Sequence, residues 1–272
     1  GGILAVINGN IRIGGTEDFI IEACEYTNSF LKFHPTAGII LNIGADHLDF
    51  FKDIDDIRLS FRKFAELIPA SGILAINSAT SNISYITDNL KCKVEVFGTD
   101  SPDGYSASGI SYDVNGCSSF EIAKSGIKTG RHIKLNVTGR HNIDNALAAI
   151  AIADYYNIPE EAISEGLLAF TGTERRFEVK GSFNGVTIVD DYAHHPEAAA
   201  RYPHKHLWCV FQPHTYSRTR SLLPDFAHAL SLAENVVLAD IYAAREDDPG
   251  DISSKTLQQE MEKYGKKAHY FH

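Results

Sequence analysis

The chain has 272 residues, a length that suits two domains, each large enough to bury its own hydrophobic core. Its 44% hydrophobic and 22% charged residues are typical of a globular protein, and the formal net charge of −10 argues against a nucleic-acid-binding surface. No apolar run approaches the roughly 18 residues of a membrane-spanning helix, and the first residues do not resemble a signal peptide. We therefore expect an acidic protein that binds neither nucleic acid nor membrane.

The cysteine pattern indicates the compartment. The four cysteines have no CxxC spacing and no regular period, which indicates reduced thiols and not a disulfide framework or a zinc site. They are Cys24, Cys92, Cys117 and Cys209. Reduced thiols are typical of the cytoplasm, and we predict a cytoplasmic location on that basis.

The first half of the chain alternates strand-like apolar runs with a helical pattern. Residues 18–23 and 37–43 are predicted to be short buried strands bounded by turn residues. Apolar side chains recur at helical spacing over residues 55–67, which predicts an amphipathic helix. Residues 73–77 predict another buried strand. The segments rich in Ser and Gly up to about residue 135 predict further strands and turns.

The second half continues this alternation of helices and strands. Residues 142–156 form an Ala-rich, strongly helical pattern, and a second helix is predicted at 159–170. The turn at residues 170–173 is the natural boundary between two domains. Beyond it, three strands are predicted at 186–189, 206–211 and 235–240, and a helix at 222–232. Strands that alternate with helices indicate an α/β fold with a mostly parallel sheet, followed by a smaller doubly wound domain.

Two polar blocks point to a binding site. Residues 173–178 read TERRFE and place two guanidiniums beside Gly172, whereas residues 190–196 read DDYAHHP and follow the apolar run 186–189. Such a run is typical of a buried parallel strand, and ligands bind at the carboxyl ends of these strands. Paired arginines suit polyphosphates because a planar guanidinium can bond two phosphate oxygens. The alternative is a surface arginine pair and an ordinary polar loop.

The two blocks resemble the Mur ligases of peptidoglycan synthesis, and their amino-acid sequence is most similar to the branch that uses L-alanine. Three further stretches agree and occur in the family's order. They are residues 30–51, with ADHLD at 45–49, residues 138–145, which read TGRHNIDN, and residues 211–220, which read FQPHTYSRTR. The resemblance covers most of the chain, with weaker support between residues 92 and 130.

The resemblance implies a particular domain organisation. It gives an α/β fold with a central ATP-binding domain at residues 1–172 and a C-terminal Rossmann-like, doubly wound domain at residues 173–272. The family's phosphate loop, GxxxxGK[ST], does not occur in the sequence, so the resemblance implies one upstream of Gly1. We therefore expect an inactive fragment that lacks the phosphate loop and the uridine-nucleotide domain. By the same resemblance, we expect the helix after Pro196 to be short by roughly two helical turns, and the second domain to end at His272 before the family's last strands.

The resemblance also implies a reaction. ATP would phosphorylate the lactyl carboxylate of UDP-N-acetylmuramate, and the amine of L-alanine would attack the resulting acyl phosphate. Such chemistry depends mostly on positioning and on charge neutralisation. The implied cofactors are ATP and Mg²⁺, with Mn²⁺ as an alternative cation. The implied partners are small molecules, UDP-N-acetylmuramate and L-alanine, and the oligomeric state stays open.

Two residues match the family's metal ligands. Glu22 corresponds to a glutamate at the end of a central strand, and His47 to the ligand of a second cation. A carboxylate suits Mg²⁺, whereas an imidazole also suits Mn²⁺. Without the resemblance, Glu22 would be a solvated acid at the end of a strand and His47 a loop histidine. Gly44 departs from the family, which usually has an acidic residue there.

Three residues at the start of the Ala-rich helix match the family's adenine site. They are His141, Asn142 and Asn145, of which the two asparagines are three residues apart and so share one helix face. Primary amides both donate and accept hydrogen bonds, which matches the edge of adenine. The alternative is that Asn142 is only the N-cap of the helix.

The polar blocks supply the remaining nucleotide contacts. Arg176 matches the family's hinge arginine, which contacts the ATP phosphates or ribose, although Arg175 could serve equally. Asp191 corresponds to the acid that faces the ribose, while Asp190 is expected to be structural.

The side chains expected at the reacting groups come from two segments. Tyr192 and His194 face the condensing groups in the resemblance, and His194 could orient the incoming amine or take its proton. Arg218 matches an arginine that binds the carboxylate of L-alanine or of the product, and His214 lies in the same loop. The family often has an arginine in place of Thr215, so one cationic contact is absent.

Other functions are compatible with parts of this pattern. One alternative is a recycling ligase, which joins UDP-N-acetylmuramate to a ready-made tripeptide. Tyr192 and the sequence of residues 211–214 favour the L-alanine branch instead. A folylpolyglutamate synthetase-like ligase shares the architecture and fits the block at 190–196 poorly. A non-catalytic nucleotide-binding module is the alternative from a different class.

Overall fold

The computed structural model describes residues 2–4, 7, 9–45, 47, 50–175, 178–191 and 205–271. The chain divides into two compact units, unit 1 (Gly1–Glu178) and unit 2 (Val179–His272). The domain boundary expected at residues 172 and 173 stays a prediction. Among the described helices, none combines the length and the apolarity needed to cross a membrane.

Unit 1 is built on a six-stranded mixed sheet. The strands follow each other in the order β1–β2–β3–β4–β5–β6, so β1 and β6 form its two edges. Neighbours from β1 to β4 are parallel, and those from β4 to β6 are antiparallel. The strands are β1 (Ala37–Ile40), β2 (Ile73–Asn77), β3 (Lys93–Phe97), β4 (Tyr105–Tyr112), β5 (Cys117–Lys124) and β6 (Ile127–Thr138).

The helices of unit 1 include all three that the sequence predicts. α1 begins where the Asp53 carboxylate accepts hydrogen bonds from the backbone N–H groups of Asp55 and Asp56, at 3.0 and 2.9 Å. The short helix α2 was not predicted. The α-helices are α1 (Ile54–Glu66), α2 (Ile83–Thr87), α3 (His141–Tyr155) and α4 (Glu160–Ala169), and a 3-10 helix spans Tyr26–Lys32.

Two hydrophobic clusters hold unit 1 together. The larger one joins the apolar face of α3, which includes Ile143, Leu147 and Ile150, to residues of β3, β4, β5 and β6. The smaller one packs α1 against β1 and β2. All five residues of β2 are buried, as expected for an interior parallel strand. The sheet and α3 therefore fix the position of the helix start, where the predicted adenine site lies.

Unit 2 contains a three-stranded parallel sheet in the order β11–β10–β9 and a separate two-stranded sheet. Its core joins β10 to the helices through residues such as Leu230, Leu238 and Leu257. The elements are β7 (Glu178–Phe183), β8 (Val186–Asp190), β9 (Trp208–Phe211), α5 (Tyr216–Ser221), α6 (Leu223–Leu230), β10 (Asn235–Leu238), α7 (Ser254–Glu262) and β11 (His269–Tyr270).

The strand predicted at residues 18–23 is wrong. This segment has no regular secondary structure, and the side chains of Phe19 and Ile20 are 83% and 96% exposed. An apolar run becomes a buried strand only when a neighbouring strand and a covering layer are supplied, and propensity alone does not provide them. Glu22 is therefore not at the end of a central strand in this structure.

The prediction of a buried parallel strand at residues 186–189 is also wrong in its environment. β8 does occupy this position, but it pairs with β7 in a two-stranded sheet, and Val186 and Ile188 are 61% and 56% exposed. Asn184 and Gly185 connect the two strands with φ of +49° and +79°. Such a two-residue Asn-Gly turn favours a local hairpin, which explains the pairing.

Candidate functional site

The two asparagines at the start of α3 form a relay of amides. Asn142 Nδ2 donates to the carbonyl oxygen of Thr138 at 2.7 Å, and Asn142 Oδ1 accepts from Asn145 Nδ2 at 3.0 Å. Arg140 holds the N-cap position, so the interpretation of Asn142 as the N-cap is wrong. The inner amide thus orients the outer one. The exposed Asn145 keeps a carbonyl oxygen and a second N–H that can meet a ligand edge.

Gly139 allows the imidazole of His141 to lie close to the backbone at this helix start. Its φ is +94°, a conformation that favours glycine. A Cβ atom at Gly139 would lie 2.7 Å from Cε1 of His141. The glycine in the TGRHN stretch is therefore required by both the turn and the histidine that follows it.

The loop after β3 is tied to the same end of α3 by two carboxylates. Asp144 Oδ1 accepts from the backbone N–H of Thr99 at 2.6 Å and from its hydroxyl at 2.7 Å. Asp100 accepts two hydrogen bonds from Nη2 of Arg140, at 2.8 and 2.6 Å. These contacts fix the helix start relative to the sheet, and with it the three residues of the predicted adenine site.

The predicted metal ligand His47 lies in the segment between β1 and α1. Its Nε2 is 3.4 Å from Glu25 Oε1, and its ring stacks on Tyr26 with centroids 4.5 Å apart. Glu22 is exposed. Within the described ranges, no group of three or more His, Cys, Asp or Glu side chains is placed to hold a metal ion. Carboxylate and imidazole donors suit a divalent cation, and the roles of Glu22 and His47 stay predictions.

The nucleotide contacts expected from the polar blocks are only partly described. Arg175 is exposed, its φ is +60°, and its backbone N–H donates to Glu178 Oε2 at 2.9 Å. Asp191 is exposed directly after β8. Arg176, Tyr192 and His194 lie outside the described residues.

In unit 2, the segments that follow the parallel strands β9 and β10 are joined to each other. His214 and Tyr242 form a parallel bridge, and their rings are 5.5 Å apart. The backbone N–H of Thr215 donates to the Tyr242 carbonyl at 2.9 Å, and that of Tyr242 donates to the Pro213 carbonyl at 2.8 Å. Carboxyl ends of parallel strands are the usual ligand sites of α/β sheets.

Arg218 extends this region from the first turn of α5. Thr215 is the N-cap of α5, and its hydroxyl accepts from the Arg218 backbone N–H at 3.4 Å. Burial, followed by the positive charge of Arg218, lowers the pKa of His214, whereas Glu246 acts in the opposite direction. The structure therefore brings together the two side chains that were predicted to bind the amino acid, His214 and Arg218.

Two carboxylates were not among the predicted site residues. Glu25 is the acid beside His47. Glu246 Oε2 accepts from the backbone N–H of Ser217 at 2.9 Å, and its Oε1 accepts from the Ser217 hydroxyl. Glu25 stands three residues after Glu22 and could have been considered with it. No sequence pattern singles out Glu246, because its partner is 29 residues away.

Two family models match the chain. The model of the Mur ligase middle domain matches residues 9–153. The model described as the glutamate ligase domain of Mur ligases matches residues 175–272.

Curated relatives match across the whole chain. A UDP-N-acetylmuramate–L-alanine ligase from Lachnoclostridium phytofermentans is 52% identical over 287 aligned residues, which cover 99% of this chain and 61% of the relative. One of the same name from Clostridium acetobutylicum is 50% identical over 279 residues and covers 100% and 60%. The chain thus spans about three fifths of the length of the curated relatives it matches.

Solved structures agree on the fold. A UDP-N-acetylmuramate-alanine ligase from Thermotoga maritima is similar with a TM-score of 0.68 and 25% identity, over 90% of this chain and 53% of that one. MurF from Acinetobacter baumannii, with a TM-score of 0.69 and 19% identity over 89% and 52% of the two chains, supports the fold alone. With family models matched over most of its length, the chain belongs to the Mur ligase family and carries its middle and glutamate ligase domains.

Proposed function

We propose that the full-length protein is an ATP-dependent ligase that joins L-alanine to the lactyl carboxylate of UDP-N-acetylmuramate. One observation carries this proposal: relatives about 50% identical over 99–100% of the chain bear the name of that enzyme. The implied reaction proceeds through an acyl phosphate, which the amine of L-alanine attacks before phosphate leaves.

In this proposal the amides at the start of α3 recognise adenine. The hydrogen bond to the Thr138 carbonyl oxygen orients the side-chain amide of Asn142, and the hydrogen bond to Asn142 orients that of Asn145. Asn145 can then accept from the adenine amino group and donate to a ring nitrogen. His141 stands beside them as a further nucleotide contact.

The charged end of the nucleotide would be met by other residues. Arg175 or Arg176 would contact the phosphates or the ribose, and Asp191 would accept from the ribose hydroxyls. A divalent cation, Mg²⁺ or Mn²⁺, would neutralise phosphate charge, and Glu22 and His47 have the donor atoms for one.

The condensing groups would be served by the second domain. Arg218 would bind the carboxylate of L-alanine, with His214 beside it at the ends of β9 and β10. Tyr192 would contact the same groups, and His194 would orient the amine or accept its proton. All four cysteines are free, which supports the predicted cytoplasmic location.

Phosphate release by the full-length protein tests the reaction. The assay supplies ATP and UDP-N-acetylmuramate and compares L-alanine with the tripeptide as acceptor. We expect release with L-alanine and not with the tripeptide. Release with the tripeptide alone would indicate the recycling reaction, and release with neither acceptor would favour a non-catalytic nucleotide-binding role.

The adenine assignment has a separate test. We expect Asn145→Ala to raise the KM for ATP about tenfold while kcat changes little, because the lost hydrogen bonds are the same in the ground and transition states. Asn115→Ala, which removes an exposed amide from the turn between β4 and β5, is the matched control. An unchanged KM in Asn145→Ala would contradict the assignment.

A further inference from the structure

Glu246 anchors the beginning of α5 from outside that helix. Its two carboxylate oxygens accept from the backbone N–H and the hydroxyl of Ser217. Desolvation, the largest influence, raises the pKa of Glu246, but hydrogen bonds from Ser217, from the backbone of Tyr216 and from Thr215 together lower it. The carboxylate is thus held in its charged form by the first turn of the helix that carries Arg218.

The backbone around this contact is unusual on both sides. Thr215, the residue before α5, has a φ of +63°, and Ala244, two residues before Glu246, has a φ of +55°. A positive φ is unfavourable for a β-branched residue and for alanine. Such conformations persist when surrounding contacts fix them, and they concentrate at functional sites. The segments after β9 and β10 are therefore held in one defined arrangement.

Glu246 also sets the charge balance of this arrangement. Burial is the largest influence on the pKa of the His214 imidazole and lowers it; of the charged groups, the Arg218 guanidinium lowers it further and the Glu246 carboxylate raises it. Both carboxylate oxygens are already engaged by Ser217, so Glu246 is placed to hold its neighbours and not to bind a ligand.

We infer that Glu246 is a positioning residue, which presents His214 and Arg218 to the carboxylate of the amino-acid substrate. This inference rests on the proposed function, in which Arg218 binds that carboxylate. Glu246 itself does not touch the substrate. It fixes the turn that carries the Arg218 guanidinium before the amino acid binds. Binding therefore does not have to supply the conformational entropy of ordering that turn.

Steady-state kinetics of the full-length protein test the inference. Glu246→Gln keeps the shape of the side chain but removes its charge, and Ser217→Ala removes one donor. We expect Glu246→Gln to raise the KM for L-alanine about tenfold and Ser217→Ala to raise it less, with the KM for ATP unchanged. Asp251→Asn is the matched control. It removes the charge of an exposed carboxylate that also pairs with a residue of α5, Arg220.

A second readout does not depend on activity. We expect the pKa of the His214 imidazole, followed by NMR in the 272-residue chain, to fall in Glu246→Gln and to stay unchanged in Asp251→Asn. If the pKa of His214 falls in Glu246→Gln while the full-length protein shows no L-alanine-dependent activity, the anchoring role of Glu246 is retained and the proposed reaction is refuted. An active protein in which Glu246→Gln changes neither the KM for L-alanine nor this pKa would overturn the inference.

Discussion

Arg131 and Asp154 form a largely buried ion pair between β6 and α3. Arg131 Nη1 lies 2.7 Å from Asp154 Oδ2, and their side chains are 17% and 23% exposed. The Tyr105 hydroxyl donates to the same oxygen at 2.8 Å. Burial, and then the hydrogen bond to Asp154, raises the pKa of Tyr105 well above its usual range. Each of the three groups depends on the others to compensate for its loss of water.

Removing the cation from this cluster should be costly. We expect Arg131→Met to lower the free energy of unfolding by about 3 kcal/mol, because it leaves the Asp154 carboxylate buried without its cation. Urea unfolding followed by circular dichroism measures the loss. Arg140→Met is the control: its partner Asp100 is 83% exposed, so the loss should stay below about 1 kcal/mol. Equal losses in the two variants would contradict the assignment of a buried pair.

At the scale of elements, the sequence predicts what local pattern determines. The helical spacing before Leu67, the Ala-rich run after His141 and the apolar run that begins β2 all gave the right elements. The run at 18–23 failed because its environment, and not its propensity, decides whether it is a strand. The run at 186–189 failed in a similar way, since a local hairpin turn determined its partner.

For the candidate site residues too, local spacing could be predicted from the sequence and contacts between distant segments could not. Asn142 and Asn145 could be placed on one face because they are three residues apart on a helix. The partners of His47 and Ser217 could not be predicted, since Glu25 and Glu246 reach them through tertiary structure. A resemblance to a family supplies residue types at motif positions, whereas contacts between distant segments must be read from the fold.

Gly104 offers a test at the scale of one strand pair. It precedes β4 with a φ of +62°, and a Cβ atom there would lie 1.8 Å from the carbonyl oxygen of Val96 in β3. We expect Gly104→Ala to lower the free energy of unfolding by about 3 kcal/mol, through a clash with backbone as well as strain. Gly126→Ala, at a φ of +77° with no atom within 4 Å, should cost only about 1 kcal/mol. Circular dichroism in urea compares the two, and similar losses would exclude the clash as the cause.

At the scale of the whole molecule, each unit has a core of its own. Unit 1 is held by the clusters on its six-stranded sheet, and unit 2 by a cluster that includes Leu257 of α7. The single tryptophan of the chain, Trp208, lies in β9. Its fluorescence therefore reports on unit 2, whereas circular dichroism reports on both units.

This arrangement permits a test of the unit 2 core. We expect Leu257→Ala to lower the free energy of the transition seen by Trp208 fluorescence in urea by about 3 kcal/mol, because it opens a cavity at a fully buried position. Leu232→Ala, at a residue that is 51% exposed, should change it by less than about 0.5 kcal/mol. A fluorescence transition that is insensitive to Leu257→Ala would mean that this cluster does not stabilise unit 2.

The position of β1 at one edge of the six-stranded sheet has a consequence for handling the protein. Ile39, in β1, and Leu41, just after it, are 42% and 40% exposed, so among the strands that the structure describes this edge combines apolar side chains with a strand paired on one side only. Such an edge does not discriminate between strands of its own chain and those of another molecule. We therefore expect this edge to be one place where native copies of the 272-residue chain can associate at high concentration, through strand addition and without prior unfolding.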